Sequence, residues 1–213
     1  MKKIILTGLA IISLFSCDKE DNNSDAIDTF DLIANNCITI EHSTICFDSV
    51  LSDSRCPTGA TCVWEGYATV SLKLTTHDNE NHKVELNTNP DFSIDTMIGN
   101  IYLLLTDLTP YPDINTAIDP KDYKVNITIA NIDELKSNAQ IIDFNPEKCG
   151  CCWGWTIKIG NDTIKSYDAR IGKLIGYNIN YPVNVYVEKG DLEQTCSGIG
   201  YDYYKLKTLI KME

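Results

Sequence analysis

Apolar and polar residues alternate with a period of two through most of the chain, the signature of half-buried β-strands. Trp64, Gly66, Ala68, Val70, Leu72 and Leu74 share one phase, with Ser71, Lys73 and Thr75 on the other; Tyr123, Val125, Ile127 and Ile129 alternate with Lys124, Asn126 and Thr128. Further strands are expected at 30–33, 37–41, 44–51, 83–86 and 101–108, separated by turn-rich stretches at 77–82 and 87–91. Seven or so short strands within about 105 residues predict an antiparallel β-sandwich over 27–132. Helical or turn character is confined to 132–137, and the boundary between domains is expected within 131–140. Beyond it, Trp155, Ile157 and Ile159 share a phase, Gly160-Asn161-Asp162 turns the chain, 163–167 returns, Val183, Val185 and Val187 alternate with polar neighbours, and 203–210 closes the chain. Four or five strands in about 75 residues fit a small β-barrel or compact β-sheet domain over 138–213, so the expected class is all-β throughout. A core of that size is marginal alone, and covalent staples are expected in it.

The N-terminus departs from this pattern. Lys2 and Lys3 precede an apolar run from Ile4 to Phe15, shorter than the roughly 20 residues a bilayer-spanning helix needs. It reads as the hydrophobic region of a signal peptide, residues 1–16, that is removed on export. An acidic, polar tether over 17–26 follows. The run ends Leu14-Phe15-Ser16-Cys17, which resembles the lipobox of bacterial lipoproteins, whose cysteine carries acyl chains such as palmitate and becomes the mature N-terminus. Asp18-Lys19-Glu20-Asp21 resembles the surface-export signal of Bacteroidetes lipoproteins. The resemblance implies an outer-membrane lipoprotein exposed at the cell surface, the periplasmic face being the alternative.

Composition narrows the partners. Eighteen Lys plus Arg stand against 30 Asp plus Glu, a formal charge of -12, and the arginines are Arg55 and Arg170 alone. Nucleic-acid binding lacks the basic surface it needs. An acidic surface also repels anionic lipid, so membrane contact would come through acyl chains on Cys17, each buried methylene contributing about 0.8 kcal/mol.

Nine cysteines remain to be explained. Apart from Cys17, four lie in each domain: Cys37, Cys46, Cys56 and Cys62, then Cys149, Cys151, Cys152 and Cys196. Even sets in an exported chain read as a disulfide framework. Cys37 and Cys46 sit on successive strands about a hairpin, and Cys56 and Cys62 bracket a five-residue loop whose closure is worth about 2.4 kcal/mol. Cys196 must reach back to one of the three clustered cysteines, a closure worth about 4 kcal/mol, and which one stays open.

Asp53-Ser54-Arg55-Cys56-Pro57, followed by Cys62-Val63-Trp64-Glu65-Gly66-Tyr67-Ala68, resembles a recurrent domain of bacterial lipoproteins and secreted proteins in which Asp-Ser-Arg-Cys-Pro precedes Cys-x-Trp-x-Gly-x-Ala and a strand. The likeness extends to Leu108-Thr109-Pro110-Tyr111-Pro112, and the family brings no activity to transfer. Cys149-Gly150-Cys151-Cys152-Trp153-Gly154-Trp155 looks like the start of other small Bacteroidetes modules. Arg55 is expected to pin the cysteine loop through a carboxylate or carbonyls. Trp64, in the inward phase, is expected in the core. Of Trp153 and Trp155, one is expected in the core and the other is a candidate ligand platform.

Catalytic signatures are missing. His42, His77 and His82 are the only imidazoles, and neither a Gly-x-Ser-x-Gly elbow nor a His-Glu-x-x-His pair is present. His77 and His82 flank a four-residue turn and are the candidate metal ligands, with Asp78 and Glu80 nearby. No cofactor is expected. The sequence predicts a lipid-anchored binding or structural module without catalysis, taking a protein or glycan ligand. Two alternatives stay open: a metal-binding or redox lipoprotein using Cys149, Cys151, Cys152 and Cys196, against which the strand-like residues after Cys152 weigh, and an envelope hydrolase using carboxylates. Asp48-Ser49-Val50, Asp95-Thr96-Met97 and Asp162-Thr163-Ile164 resemble O-glycosylation acceptors of Bacteroidetes export.

Overall fold

The computed structural model describes residues 26–40, 42–177, 179–196 and 201–212. The leader, the proposed lipidation site Cys17 and most of the tether lie outside the described residues. Eight strands build the first domain: β1 (Ile27–Ile33), β2 (Cys37–Ile40), β3 (Ser43–Asp53), β4 (Ala68–Thr75), β5 (Asn81–Asn87), β6 (Asp95–Ile98), β7 (Ile101–Thr109) and β8 (Lys124–Asn131). They form two antiparallel four-stranded sheets, ordered β1-β8-β7-β6 and β2-β3-β4-β5. The alternation places Ile45 and Phe47 of β3 with Ala68, Val70, Leu72 and Leu74 of β4 inward, against Leu103, Leu105, Ile127 and Ile129 of the facing sheet.

The second domain is a closed barrel of β9 (Ala139–Asn145), β10 (Gly154–Ile159), β11 (Asp162–Ser166), β12 (Val183–Gln194) and β13 (Tyr203–Lys211), in the order β10-β11-β13-β12-β9. A single helical turn pair, α1 (Ala169–Ile175), packs Ile171 and Ile175 onto its core. The fold is thus all-β, and the smaller domain is a barrel.

Two expectations are corrected. The strand that begins near Trp64 in the periodic pattern starts at Ala68 instead. Gly66 has φ of +67°, and a Cβ there would lie 1.8 Å from the Ser54 carbonyl oxygen, so the chain takes a left-handed step that breaks the alternation before β4. Trp64 therefore stays outside the core, 65% exposed. A strand not anticipated, β9, opens the 138–213 segment, and its Ala139 and Ile141 face the barrel core.

Five consecutive residues of β7, Ile101 to Leu105, are buried. Ile101, Leu103 and Leu105 join the sandwich core, while Tyr102 and Leu104 point outward into a second cluster with Ala130, Leu135, Tyr186 and Ile210. The barrel strands β12 and β13 thus pack on the outer face of the β1-β8-β7-β6 sheet, and β7 reads as a continuous apolar run because both of its faces are covered.

The two arginines fix the loops that β-ladders leave over. Arg55 is 8% exposed and grips Asp53 with Nε and Nη2, at 2.9 and 2.7 Å, while Nη1 donates to the Leu108 carbonyl and Nη2 to that of Pro110. Tyr123 adds its hydroxyl to Asp53 at 3.0 Å. Arg170 repeats the arrangement: Nε and Nη2 hold Asp168, Nη2 also donates to the Leu206 carbonyl and Nη1 to that of Lys207 in β13. Its Nη1 also lies 4.0 Å from Asp95 of the sandwich, where Tyr102 donates to the same carboxylate at 2.8 Å.

The cysteines pair as Cys37–Cys46, Cys56–Cys62, Cys149–Cys152 and Cys151–Cys196. Cys37 stands directly opposite Cys46 in the β2–β3 register. Cys196 reaches Cys151, which joins the end of β12 to the loop before β10.

Removing one member of a buried ion pair strands the other. Arg55→Ala is expected to cost about 3–5 kcal/mol of unfolding free energy, whereas Lys73→Ala, which breaks the exposed pair with Asp48, should leave stability nearly unchanged. Denaturant midpoints at an unchanged slope test this, and comparable small losses in both variants would contradict it. Burial alone would raise the Asp53 carboxyl, but the Arg55 guanidinium overrides it and holds the pKa below the ordinary 3.8. A depressed carboxyl contributes stability that is complete above its unfolded pKa and is lost as pH falls through the folded one. Stability should hold from neutral pH to about pH 5 and fall below about pH 4. The weaker Asp53→Asn variant should lose less on the same acid titration.

Candidate functional site

Where the barrel lies against the sandwich, the contact is incomplete and leaves a cavity of about 750 Å³. Its sandwich side is a row of threonines. Thr29 of β1 and Thr128 of β8 are register partners with hydroxyls 3.1 Å apart, and Thr106 of β7 extends the row at 3.3 Å from Thr128. Thr106 continues the outward phase of Tyr102 and Leu104, and the register shift between Leu105 and Asp107 turns Asp107 outward beside it before Leu108 returns to the core. The barrel wall consists of Ser166 to Arg170 at the start of α1, with Glu188 and Glu193 of β12 and Lys205, Lys207 and Thr208 of β13. Thr208 donates to Glu188, and Asp168 is taken up by Arg170.

The cavity runs on into a second hollow of about 570 Å³, which shares Thr88, Pro90, Asp91, Leu105 and Thr106 with the first. Arg55, Glu65, Gly66, Asp107 and Tyr111 line its far end. Together they make one groove from the domain junction to the tip of the sandwich. The Asp91 carbonyl accepts from Lys173 of α1 at 2.8 Å, so the loop between β5 and β6 is tied across the junction.

The tip carries exposed aromatic side chains. Tyr111 is 53% exposed, with the Arg55 guanidinium 4.9 Å from its ring centre. Phe92, next to the lining residue Asp91, is 47% exposed and lies 4.7 Å from Tyr67, which meets Trp64 edge-on at 6.2 Å. The sequence pattern missed this row. The available signal was Gly66, whose left-handed turn takes Trp64 out of the strand phase.

The residues singled out from sequence divide between the barrel core, two disulfides and separate surfaces. Trp155 is 1% exposed within the barrel core, packed on Phe144 and Tyr177, and is no surface platform. Trp153 is half-buried and stacks on Tyr167, which stacks in turn on Tyr203. His77 and His82 are not brought together. His82 stands opposite Leu74, whereas His77 lies in the turn and faces a hollow of about 280 Å³ shared with His42. Among the described residues no group of three His, Cys, Asp or Glu side chains is arranged to hold a metal. Cys149, Cys151, Cys152 and Cys196 are placed together, as two disulfides.

The carboxyls Asp31, Asp48, Asp78 and Asp119 are held below the ordinary value, chiefly by hydrogen bonds from Asn126, Lys73, Thr76 and Lys121 respectively. None of them lines the groove, nor does Asp53. Burial lowers the Lys165 ammonium and raises the Tyr203 hydroxyl, and both belong to the barrel beneath the cysteine loop, where Lys165 donates to the Cys152 carbonyl at 2.7 Å. The groove's lining combines hydroxyls, the Arg170–Asp168 ion pair, the carboxylates Glu65, Asp91, Asp107, Glu188 and Glu193, and the lysines Lys205 and Lys207. Compared with known proteins, the chain matches no family model, no curated protein and no solved structure.

Proposed function

We propose that this chain is an exported lipoprotein, held to the outer membrane by acyl chains on Cys17 and facing the cell exterior, which binds a ligand in the groove between its domains without catalysing a reaction. The leader pattern, Cys17 and the acidic residues after it support the anchoring. Pairing of all eight remaining cysteines fits an oxidising compartment. That pairing also engages the sulfurs that a metal-binding or redox role would use as thiolates.

The groove carries the binding reading. Its two walls belong to different domains, yet an apolar contact around Tyr102, Leu104, Tyr186 and Ile210 and the Arg170–Asp95 ion pair hold them in register. A site so fixed needs little ordering when its ligand arrives.

Two measurements test the two halves. In cells fed an alkyne-labelled palmitate, the parent should be labelled and membrane-bound, while Cys17→Ser should be unlabelled and released. Protease added to intact cells should remove the parent, and survival would place it on the periplasmic face. For the groove, a photo-crosslinking amino acid at Thr106 should capture a ligand in intact cells, whereas one at Lys83, exposed on β5, should not. Equal capture at both positions would remove the binding assignment.

A further inference from the structure

The groove's chemistry names a class of ligand. Resting on the binding reading, we propose that it takes a neutral oligosaccharide, laid from the threonine row at the domain junction to the aromatic tip formed by Tyr111, Phe92, Tyr67 and Trp64.

The floor comes first. Thr29, Thr106 and Thr128 form a row of linked hydroxyls across three strands, with the exposed Thr29 and Thr106 at its ends and Thr88 within the same lining, and such hydroxyls both donate and accept. Such groups match a partner that is itself a string of hydroxyls. Charge on the barrel wall disfavours a strongly charged ligand. Lys205 and Lys207 stand beside Glu188 and Glu193 on the barrel wall, so a strongly cationic or anionic ligand would meet like charge there.

The tip differs from the floor in the way a sugar-binding surface requires. A pyranose ring has an apolar face of C–H bonds and a rim of hydroxyls, so it stacks on flat aromatic faces while its rim donates to carboxylates. Trp64, Phe92 and Tyr111 supply exposed rings; Tyr111 lines the groove, Trp64 and Phe92 adjoin the lining residues Glu65 and Asp91 in the chain, and Glu65, Asp91 and Asp107 are acceptors there. These aromatics are held in advance: Tyr67 supports Trp64 and Phe92 through ring contacts, and Arg55 supports Tyr111.

The same loops argue against a lipid surface. Segments 53–67, 88–93 and 106–116 contain five carboxylates, Asp53, Glu65, Asp91, Asp107 and Asp113, and one cation, Arg55, which is buried and paired. An anionic headgroup would find no free positive charge at the tip.

The test uses maltohexaose, cellohexaose and mannohexaose as neutral probes, with a hexalysine peptide and phosphatidylglycerol vesicles as charged ones. At least one hexasaccharide should bind and shift the tryptophan emission to shorter wavelength, because Trp64 is the solvent-exposed indole. Trp64→Ala should abolish that shift, and Trp64→Ala and Phe92→Ala should each weaken binding by calorimetry about tenfold or more, at an unchanged thermal midpoint. Thr106→Val should weaken it as well, whereas Lys83→Ala should not. Failure of all three hexasaccharides to bind, or binding indifferent to Trp64 and Phe92, overturns the proposal. So does binding of hexalysine or vesicles that depends on Trp64. A peptide adduct at the Thr106 crosslinker without any hexasaccharide response would overturn the glycan assignment and leave the binding reading standing; neither adduct nor hexasaccharide response removes both.

Discussion

Two buried ion pairs of the same design hold this molecule where its β-ladders cannot. Each is an aspartate followed two residues later by an arginine, Asp53 with Arg55 and Asp168 with Arg170, and together they use every arginine in the chain. Burying a guanidinium is costly unless its donors are met, and both sites meet them with a bidentate carboxylate plus backbone carbonyls of a distant strand. Lysine could not do this, because a single ammonium has no planar fork to share between a carboxylate and two carbonyls. The lysines are accordingly left mostly to the surface, where their pairs with Asp31, Asp48 and Glu85 are exposed.

The two pairs divide the architecture between them. Arg55 closes the end of the sandwich by fastening the cysteine loop to the strand end at Leu108 and the turn at Pro110, and that fastening presents Tyr111, Gly66 and the aromatic row. Arg170 anchors α1 to β13 and reaches toward Asp95, so it joins the barrel to the sandwich. The groove runs between these two points. Its shape therefore depends on two side chains that also line it, Arg55 against the Tyr111 ring and Arg170 on the barrel wall, and a substitution at either would disturb the loops that form the groove.

Much of the fold was legible because a half-buried strand writes its orientation into every second residue. β4 and β8 followed this rule, as did the even division of the cysteines. Where two layers cover one strand the rule fails, and β7 could be recognised only as an apolar run, with no hint that Tyr102 and Leu104 meet a second domain. The helix α1 was missed because seven residues are too few for a periodic signal, although Asp168 at its start and Gly176 at its end are ordinary boundary residues. Trp64 was misplaced because one left-handed glycine outweighs the phase of its neighbours. The histidines misled for a related reason: flanking one turn does not make residues cross-strand partners, and the β4–β5 register sets His82 against Leu74.

The groove itself was the least legible feature, and the cause is general. Its floor, the threonine row, comes from strands separated by up to 99 residues, and each hydroxyl in it looks locally like any outward-facing strand position. What distinguishes Thr29, Thr106 and Thr128 is that the barrel covers the same sheet face nearby, so that polar positions border a junction instead of open solvent. A neighbouring apolar pair on that face, Tyr102 and Leu104, explains why the barrel docks where it does, and the change from apolar to hydroxyl-bearing positions along β7 marks where docking stops and the cavity begins. The boundary between interface and cavity is thus set within a single strand, by the step from Leu104 to Thr106 along its outward face.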